Sequence, residues 1–102
     1  MAHEVLIPPK VAAEIEAIGD WIARDNLSAA RTMIERLYRR CQSLDHFPER
    51  GRPYGPNYRA VNEGRYVIIY RIDRPHGQGR VVIVAVMHAS RDIRRILGIS
   101  EE

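Results

Sequence analysis

Two stretches in the first half of the chain repeat apolar residues at helical spacing. From Pro9 onward, the apolar positions recur at intervals of four, three and four, at Val11, Ile15, Ile18 and Ile22. Asp25 and Asn26 interrupt this pattern, and both residue types are favoured N-caps for a second helix. Its apolar stripe comprises Ala30, Met33, Ile34, Leu37, Cys41 and Leu44. The spacing predicts two antiparallel amphipathic helices, joined by a tight turn, that bury both stripes against a common layer.

Short apolar runs bounded by turn residues predict strands outside these helices. The run from His3 to Ile7 ends at two prolines, which lack backbone donors, and it predicts a first strand. The Pro- and Gly-rich stretch PERGRPYGPNY predicts an irregular loop. Residues 58–61 and 66–72 flank the turn sequence Asn-Glu-Gly, an arrangement that is typical of a hairpin.

A last strand and a short helix complete the pattern. Residues 80–88, RVVIVAVMH, are apolar almost throughout, as expected of a strand near the middle of a sheet. Ser90 and Asp92 are both suitable N-caps for a short helix that ends near Leu97. The chain is therefore predicted to be α+β, in the order β-α-α-β-β-β with a C-terminal helix. The two-helix hairpin packs on an antiparallel sheet, and residues 1–102 form one domain.

Composition excludes several classes of protein. The chain has 102 residues and 45% apolar content, which suffices for one globular core. No apolar run approaches the roughly 20 residues of a membrane span, and the N-terminus differs from a signal peptide, so we expect a cytoplasmic protein without a membrane partner. A single cysteine excludes intrachain disulfides. The histidines, His3, His46, His76 and His88, lack metal-ligand spacing, so we expect no metal and no cofactor.

The charges are segregated along the chain. Of the 16 basic residues, 15 are arginine, and only Lys10 is lysine. Residues 1–49 carry a net charge of −2, whereas residues 50–95 carry ten arginines against three acids and a net charge of +7. Glu101 and Glu102 return −2 at the C-terminus. The second half of the chain is thus the part that is expected to face a polyanion or an acidic partner.

Cys41 and His88 are the side chains with the greatest potential for chemistry. Cys41 lies on the apolar stripe of the second helix, so we interpret it as a core residue rather than a nucleophile. His88 ends the most apolar strand and is followed by Ser90, Arg91 and Asp92. There it could act as a general acid or base beside an arginine that neutralises phosphate. The structural alternative, in which His88 bonds to backbone and Arg91 pairs with an acid, is favoured by the spacing alone.

Arginine and tyrosine alternate in the segment before His88. The residues are Arg50, Arg52, Arg59 and Arg65, interleaved with Tyr54, Tyr58 and Tyr66. On a sheet face, such a set can contact phosphates and stack on bases, but it equally suits an acidic peptide with apolar anchors. Charge alone does not separate these alternatives.

The order of several short motifs resembles the RelE/ParE superfamily of bacterial toxins. They are IARDNLSAA, PERGRPY, YRAVNEGRYVIIYRI and VVIVAVMHASRDI, and they cover roughly residues 11–97. The resemblance implies a small α+β toxin of a type II toxin-antitoxin system, with roles in growth inhibition and plasmid stabilisation. It also implies a cognate antitoxin, a small acidic protein with a DNA-binding segment, that wraps and neutralises the toxin.

Two activities divide this superfamily. His88, Arg91 and Asp92 match the His and Arg-Asp pair that end the last strand of ParE-like members, which are associated with inhibition of DNA gyrase. RelE-like members cleave mRNA on the ribosome without a metal, often with several lysines that are missing here. Arginine is a poor proton donor because of its high pKa, which disfavours nuclease chemistry. We therefore expect a ParE-like toxin that acts by binding.

Two alternatives to gyrase inhibition stay open. In a ribosome-dependent endoribonuclease, His88 would be the general acid or base, with Arg59, Arg65 and Arg91 stabilising the phosphorane. In a diverged, non-toxic module, only antitoxin binding would survive. The residues expected to bind antitoxin or target are Arg52, Tyr58, Arg59, Arg65, Tyr66, Arg71, His88, Arg91 and Asp92. Replacing Arg59 and Arg65 with Glu is expected to weaken antitoxin binding.

Overall fold

A computed structural model describes residues 3–74 and 77–99 of the chain. The strands are β1 (Glu4–Leu6), β2 (Arg52–Pro53), β3 (Arg59–Glu63), β4 (Tyr66–Asp73) and β5 (Arg80–His88). The helices are α1 (Pro9–Ala23), α2 (Leu27–Gln42) and α3 (Ile93–Leu97), with 3-10 turns at Ser43–Asp45 and Pro48–Arg50. His76, Glu101 and Glu102 lie outside the described residues, as does part of the turn between β4 and β5.

The strands form one mixed sheet in the order β1-β5-β4-β3-β2. Strands β3 to β5 pair antiparallel, as expected, and β2 adds to β3 in the same orientation, whereas β1 pairs parallel with β5. No hairpin connects β1 to β5, so no tight turn imposes an antiparallel orientation on this pair. The α+β fold is thus confirmed, with a parallel edge strand and with a two-residue strand, β2, in the segment predicted to be an irregular loop.

The helix hairpin covers one face of the sheet. Asn26 caps α2, because its Oδ1 accepts a hydrogen bond of 2.9 Å from the Ala29 amide. Except for Ala30, the buried members of both predicted stripes meet the sheet in one core. Its residues are Val11, Ile15, Leu37, Cys41, Leu44, Val61, Tyr66, Ile68, Tyr70, Val81, Ile83 and Val86. Cys41 is fully buried, which confirms its interpretation as a core residue, and burial raises the pKa of its thiol to about 12.

A smaller core covers the opposite face of the sheet. Its buried residues are Ala60, Val67, Ile69, Ala85, Met87 and Ile93. Ile93 belongs to α3, which is capped by Asp92 at its start and by Gly98, with φ of 72°, at its end. The sheet therefore has the helix hairpin on one side and the short terminal helix on the other.

An extra residue interrupts the pairing of β5 with β4. Ile69 pairs with Ala85 and Tyr70 pairs with Ile83, so Val84 has no partner in the β4 register. Ile83 and Val86 both belong to the core under the helices, whereas Val84 and Ala85 both pack on the other side. This β-bulge shifts the alternation by one residue, and as a result the end of β5 directs His88 toward α1.

The loop between the helices and the sheet is held by two side chains. The Tyr70 hydroxyl donates to the Pro48 carbonyl at 2.5 Å and accepts from the Gly51 amide at 3.0 Å. Arg59 Nη1 donates to the carbonyls of Glu49 and Gly51 at 2.9 and 2.8 Å. The segment of residues 48–51 is thus an ordered loop whose backbone groups are bonded to the sheet.

Candidate functional site: a cleft at the end of β5

A cleft of about 710 Å³ lies where α1, the end of β5 and α3 come together. Its lining residues are Glu14, Ala17, Ile18, Trp21, Tyr66, Val86, Met87, His88, Ser90, Arg91 and Ile96. Two of the large apolar side chains that the described part of the chain exposes, Trp21 and Ile96, belong to this set. The cleft therefore combines an apolar wall with a polar rim at His88 and Arg91, a combination that suits a binding surface.

The His88 ring is held in one orientation by its neighbours. Its Nδ1 accepts a hydrogen bond of 3.0 Å from the Ser90 amide and lies 2.7 Å from the Ser90 hydroxyl oxygen. Its ring packs edge-on against Tyr66, with centroids 5.3 Å apart and planes at 88°. Because Nδ1 accepts from an amide, the neutral imidazole carries its proton on Nε2. His88 is thus a hydrogen-bond donor to whatever occupies the cleft.

Arg91 and Asp92 take different roles although they are adjacent. The Arg91 amide donates to the His88 carbonyl at 3.0 Å, and among the described residues its exposed guanidinium has no partner. Asp92 Oδ1 accepts from the Arg95 amide at 3.5 Å as the cap of α3, and the structure does not place it in the cleft lining. The predicted trio is therefore divided: His88 and Arg91 line the cleft, and Asp92 caps a helix.

Glu14 covers an exposed part of the sheet edge. Strand β1 ends at Leu6, opposite Val82, so in the described chain no strand pairs with this edge of β5 beyond Val82. Glu14 Oε1 accepts a hydrogen bond of 3.0 Å from the Val86 amide, while its Oε2 lies 2.9 Å from Lys10 Nζ. A helix side chain thus satisfies an edge amide that a neighbouring strand would otherwise bind.

Replacing Glu14 with Ala is expected to lower the free energy of unfolding by about 1 to 2 kcal/mol, because a hydrogen bond to a charged acceptor is lost. Glu14→Gln retains an acceptor oxygen and is expected to cost less than half as much. Native-state hydrogen exchange of the Val86 amide provides the direct measurement, with faster exchange in the Ala variant only. Equal exchange in the wild type and in both variants would contradict the edge-covering role of Glu14.

The four residues of the nuclease hypothesis do not all belong to the cleft lining. Arg59 lies at the start of β3, where its guanidinium holds the loop of residues 48–51. Arg65 is exposed at the turn before β4, and its carbonyl accepts from the Ala89 amide at 2.8 Å. Of the four, the structure places only His88 and Arg91 in the cleft lining.

The other predicted binding residues lie on several parts of the sheet, and of these only Tyr66 belongs to the cleft lining. Arg52 donates to Asn62 Oδ1 at 2.6 Å, and Arg71 pairs with Asp73 at 3.0 Å. Tyr58 packs against the smaller core, whereas Tyr66 lines the cleft. These residues belong to more than one surface of the molecule. Their role in binding antitoxin or target stays a prediction.

Sequence reasoning missed Trp21, Ile96 and Glu14 as cleft residues. Trp21 is 65% exposed and adjoins Ile22 of the α1 stripe, so its position outside the buried stripe was a signal in the sequence. Glu14 carried no such signal, since its contact joins residues 72 positions apart. Among the described residues, no group of three or more His, Cys, Asp or Glu side chains could hold a metal ion. In the same part of the chain, no helix has the length and apolarity to cross a membrane.

Comparisons with known proteins give the family and the fold. Residues 5–93 match the family model for the ParE toxin of type II toxin-antitoxin systems. Among solved structures, the chain is similar to one described as the chromosomal ParDE TA system from P. aeruginosa, with a TM-score of 0.74 and 16% identity. The similarity covers 87% of this chain and 98% of that chain. No curated protein matches the sequence.

Proposed function

The chain belongs to the ParE toxin family of type II toxin-antitoxin systems, and from this we propose that it inhibits growth by binding DNA gyrase in the cytoplasm. The observation that carries the proposal is the cleft, whose lining includes the exposed side chains of Trp21 and Ile96 together with Arg91. Exposed aromatic and arginine side chains are the residues that most often dominate protein interfaces. The gyrase target itself follows from the likeness to ParE-like toxins.

The arrangement of the cleft supports binding rather than turnover. RNA cleavage would need an acid-base pair and several cations around one phosphate. Here Arg59 is committed to the loop of residues 48–51, and Arg91 is the single arginine among the described lining residues of the cleft. Glu14, the carboxylate of the lining, is bound to the Val86 amide and to Lys10. A single donor on His88 Nε2 suits recognition of a partner's acceptor group.

A cognate antitoxin of acidic character is proposed to neutralise the toxin. Carboxylates of such a partner would meet Arg91 at the rim, while its apolar residues would cover Trp21 and Ile96. Arg65→Glu is a clean probe of a wider contact, because the Arg65 side chain has no partner among the described residues. Arg59→Glu is a poor probe, because it would also release the loop.

Replacing Trp21 with Ala is expected to reduce inhibition of gyrase supercoiling by about tenfold or more, as for a central interface aromatic. The measurement is the toxin concentration that halves supercoiling of relaxed plasmid by purified gyrase. Leu27→Ala is the matched control, because Leu27 is 58% exposed on the same helix hairpin but lies outside the cleft lining. That control is expected to stay within twofold of the wild type.

Parallel assays separate the proposal from its alternatives. If the wild-type chain leaves gyrase active but cuts mRNA on translating ribosomes, and if His88→Ala abolishes the cutting, nuclease activity replaces gyrase inhibition as the proposed function. Absence of both activities, with antitoxin binding retained, would indicate a diverged binding module. Equal loss of gyrase inhibition in the Trp21 and Leu27 variants would contradict the proposal that the cleft binds gyrase.

A further inference from the structure

Five arginines lie on a surface that shares no residue with the cleft lining. Arg36, Arg39 and Arg40 project from the second half of α2, and Arg50 and Arg52 follow in the loop and β2. We call these five residues the arginine face. Three of them bind the end of β3. Arg36 Nε and Nη2 donate to Glu63 at 2.9 and 2.6 Å. Arg40 Nε donates to the Asn62 carbonyl at 3.3 Å, and Arg52 Nη1 donates to Asn62 Oδ1 at 2.6 Å.

Most of the charge on the arginine face is not neutralised. Arg40, Arg50 and Arg52 donate to neutral acceptors. The acceptors of Arg40 and Arg52 belong to Asn62, and Arg50 Nη2 donates to the Ser43 carbonyl and hydroxyl at 2.8 and 2.6 Å. Within the described chain, the Arg39 side chain has no hydrogen bond or ion pair. Glu63 neutralises Arg36, and Glu49, next to Arg50 in the same 3-10 turn, pairs with Arg74. Among the described residues, Arg39, Arg40, Arg50 and Arg52 therefore have no ion pair.

Other arginines of the sheet differ from this group. Arg71, Arg74 and Arg80 each pair with one carboxylate, at 3.0, 2.7 and 3.3 Å. Their charges are compensated one to one, whereas in the arginine face only Arg36 pairs with a carboxylate among the described residues. Arg40, Arg50 and Arg52 are held by amide, hydroxyl and carbonyl oxygens. An arrangement that keeps guanidinium groups in place without neutralising them preserves their attraction for an external anion.

The arginine face is also concave. A recess of about 400 Å³ is lined by Arg36, Arg39, Arg40, Ser43 and Glu63. Each guanidinium has five N–H donors, and Arg40 and Arg52 each use one of them in these contacts. Donors therefore remain for an anion that enters the recess. Planar guanidinium groups match the geometry of phosphate oxygens.

The chemistry of this surface favours phosphate over an acidic polypeptide. Tight binding of a peptide usually requires apolar anchors at the centre of the interface. None of the exposed large apolar side chains of the described chain, Trp21, Leu27, Phe47 and Ile96, lines the recess. A nucleic-acid backbone needs only cations, because its affinity comes from the release of counterions. We infer that the arginine face binds the phosphodiester backbone of duplex DNA without regard to sequence.

The test is fluorescence anisotropy with a labelled duplex of about 20 base pairs and the isolated chain. At about 50 mM NaCl, the wild type is expected to bind with a Kd in the micromolar range, and log K should fall against log salt with a slope of about −3. Arg39→Ala with Arg52→Ala is expected to weaken binding about tenfold and to make the slope shallower by about 2. Circular dichroism establishes that the variant is folded.

A variant of equal charge is the control. Arg24→Ala with Arg95→Ala removes two exposed arginines outside the arginine face and is expected to change the Kd by less than threefold. Equal weakening in both double variants would overturn the inference in favour of diffuse net charge. Absence of duplex binding by the wild type would overturn it too, as would stronger, Arg39-dependent binding of polyglutamate.

This inference stands apart from the gyrase proposal. If Arg39-dependent DNA binding is measured and the chain leaves gyrase active, only the proposed function fails. If gyrase is inhibited and the duplex is not bound, only the arginine-face inference fails.

Discussion

Replacing Gly51 with Ala is expected to lower the free energy of unfolding by about 3 to 5 kcal/mol. A Cβ at position 51 would overlap the Tyr70 hydroxyl and crowd its ring, and Tyr70 is fully buried and cannot turn away. Overpacking of this kind costs about 1 to 3 kcal/mol, and loss of the bond between the Gly51 amide and the Tyr70 hydroxyl adds a similar amount. The melting temperature should fall by roughly 15 °C or more.

Two further variants show whether the overlap is the cause. In the double variant Gly51→Ala with Tyr70→Phe, the closest overlapping atom, the Tyr70 hydroxyl oxygen, is gone. Its loss of unfolding free energy should therefore be about 1 kcal/mol smaller than the sum of the losses in the two single variants. Gly77 is an exposed glycine with φ of 80°, and no atom of the described residues beyond its chain neighbours lies within 4 Å of an added Cβ, so Gly77→Ala should cost only about 1 kcal/mol. Additivity in the double variant would contradict the proposed contact.

The Cys41 thiol is expected to be unreactive in the folded protein and to weaken the fold at high pH. Burial raises the pKa of this thiol from 9.0 to about 12. Below pH 9 it is neutral in both states, but between pH 9 and 12 only the unfolded state releases the proton. Stability is therefore lost as pH rises, by about 1.4 kcal/mol for each pH unit in this window.

Urea unfolding at pH 8 and pH 10.5 measures this effect. Stability of the wild type should fall by about 2 kcal/mol more than that of Cys41→Ala over this interval, since the variant lacks the thiol. Comparing the two pH values within each protein removes the cost of the substitution itself. Subtracting the change in Cys41→Ala from that in the wild type removes the titration of Tyr70 and most of that of Tyr38. Burial raises the pKa of both tyrosines, and Cys41 also raises that of Tyr38. Thiol labelling at pH 8 should be slower than in urea by at least about a thousandfold. Identical pH dependence in the two proteins, or rapid labelling, would contradict the buried thiol.

The elements of this fold could be predicted where local pattern decides them. The apolar spacing of Val11 and Ile15 and the cap at Asn26 are local signals, and α1 and α2 begin and end close to the expected residues. The parallel pairing of β1 was not predictable, because it depends on which distant strand offers a free edge. The bulge at Val84 was also hidden, since one extra residue in a uniformly apolar run leaves the pattern unchanged.

The candidate site could be predicted only in part, for a related reason. His88 and Arg91 were found because they directly follow a strong strand pattern, and the end of such a strand holds its side chains in place. Arg59 looked like a free cation in the sequence, but its partners are carbonyl groups of a loop that sequence alone represents as irregular. The convergence of Arg40 and Arg52 on Asn62 likewise depends on tertiary structure.

The extra residue in β5 has a consequence for how related toxins can differ. Deleting Val84 would restore simple alternation and leave Ile83, Val86 and His88 on their present side of the sheet. Inserting one residue between Ala85 and Val86 would instead exchange the sides of Val86 and Met87 and turn the imidazole of His88 toward α3. Two relatives with nearly the same composition could thus present different chemistry to their targets. Strand length is then a route by which target preference can change without any change in the residues of the site.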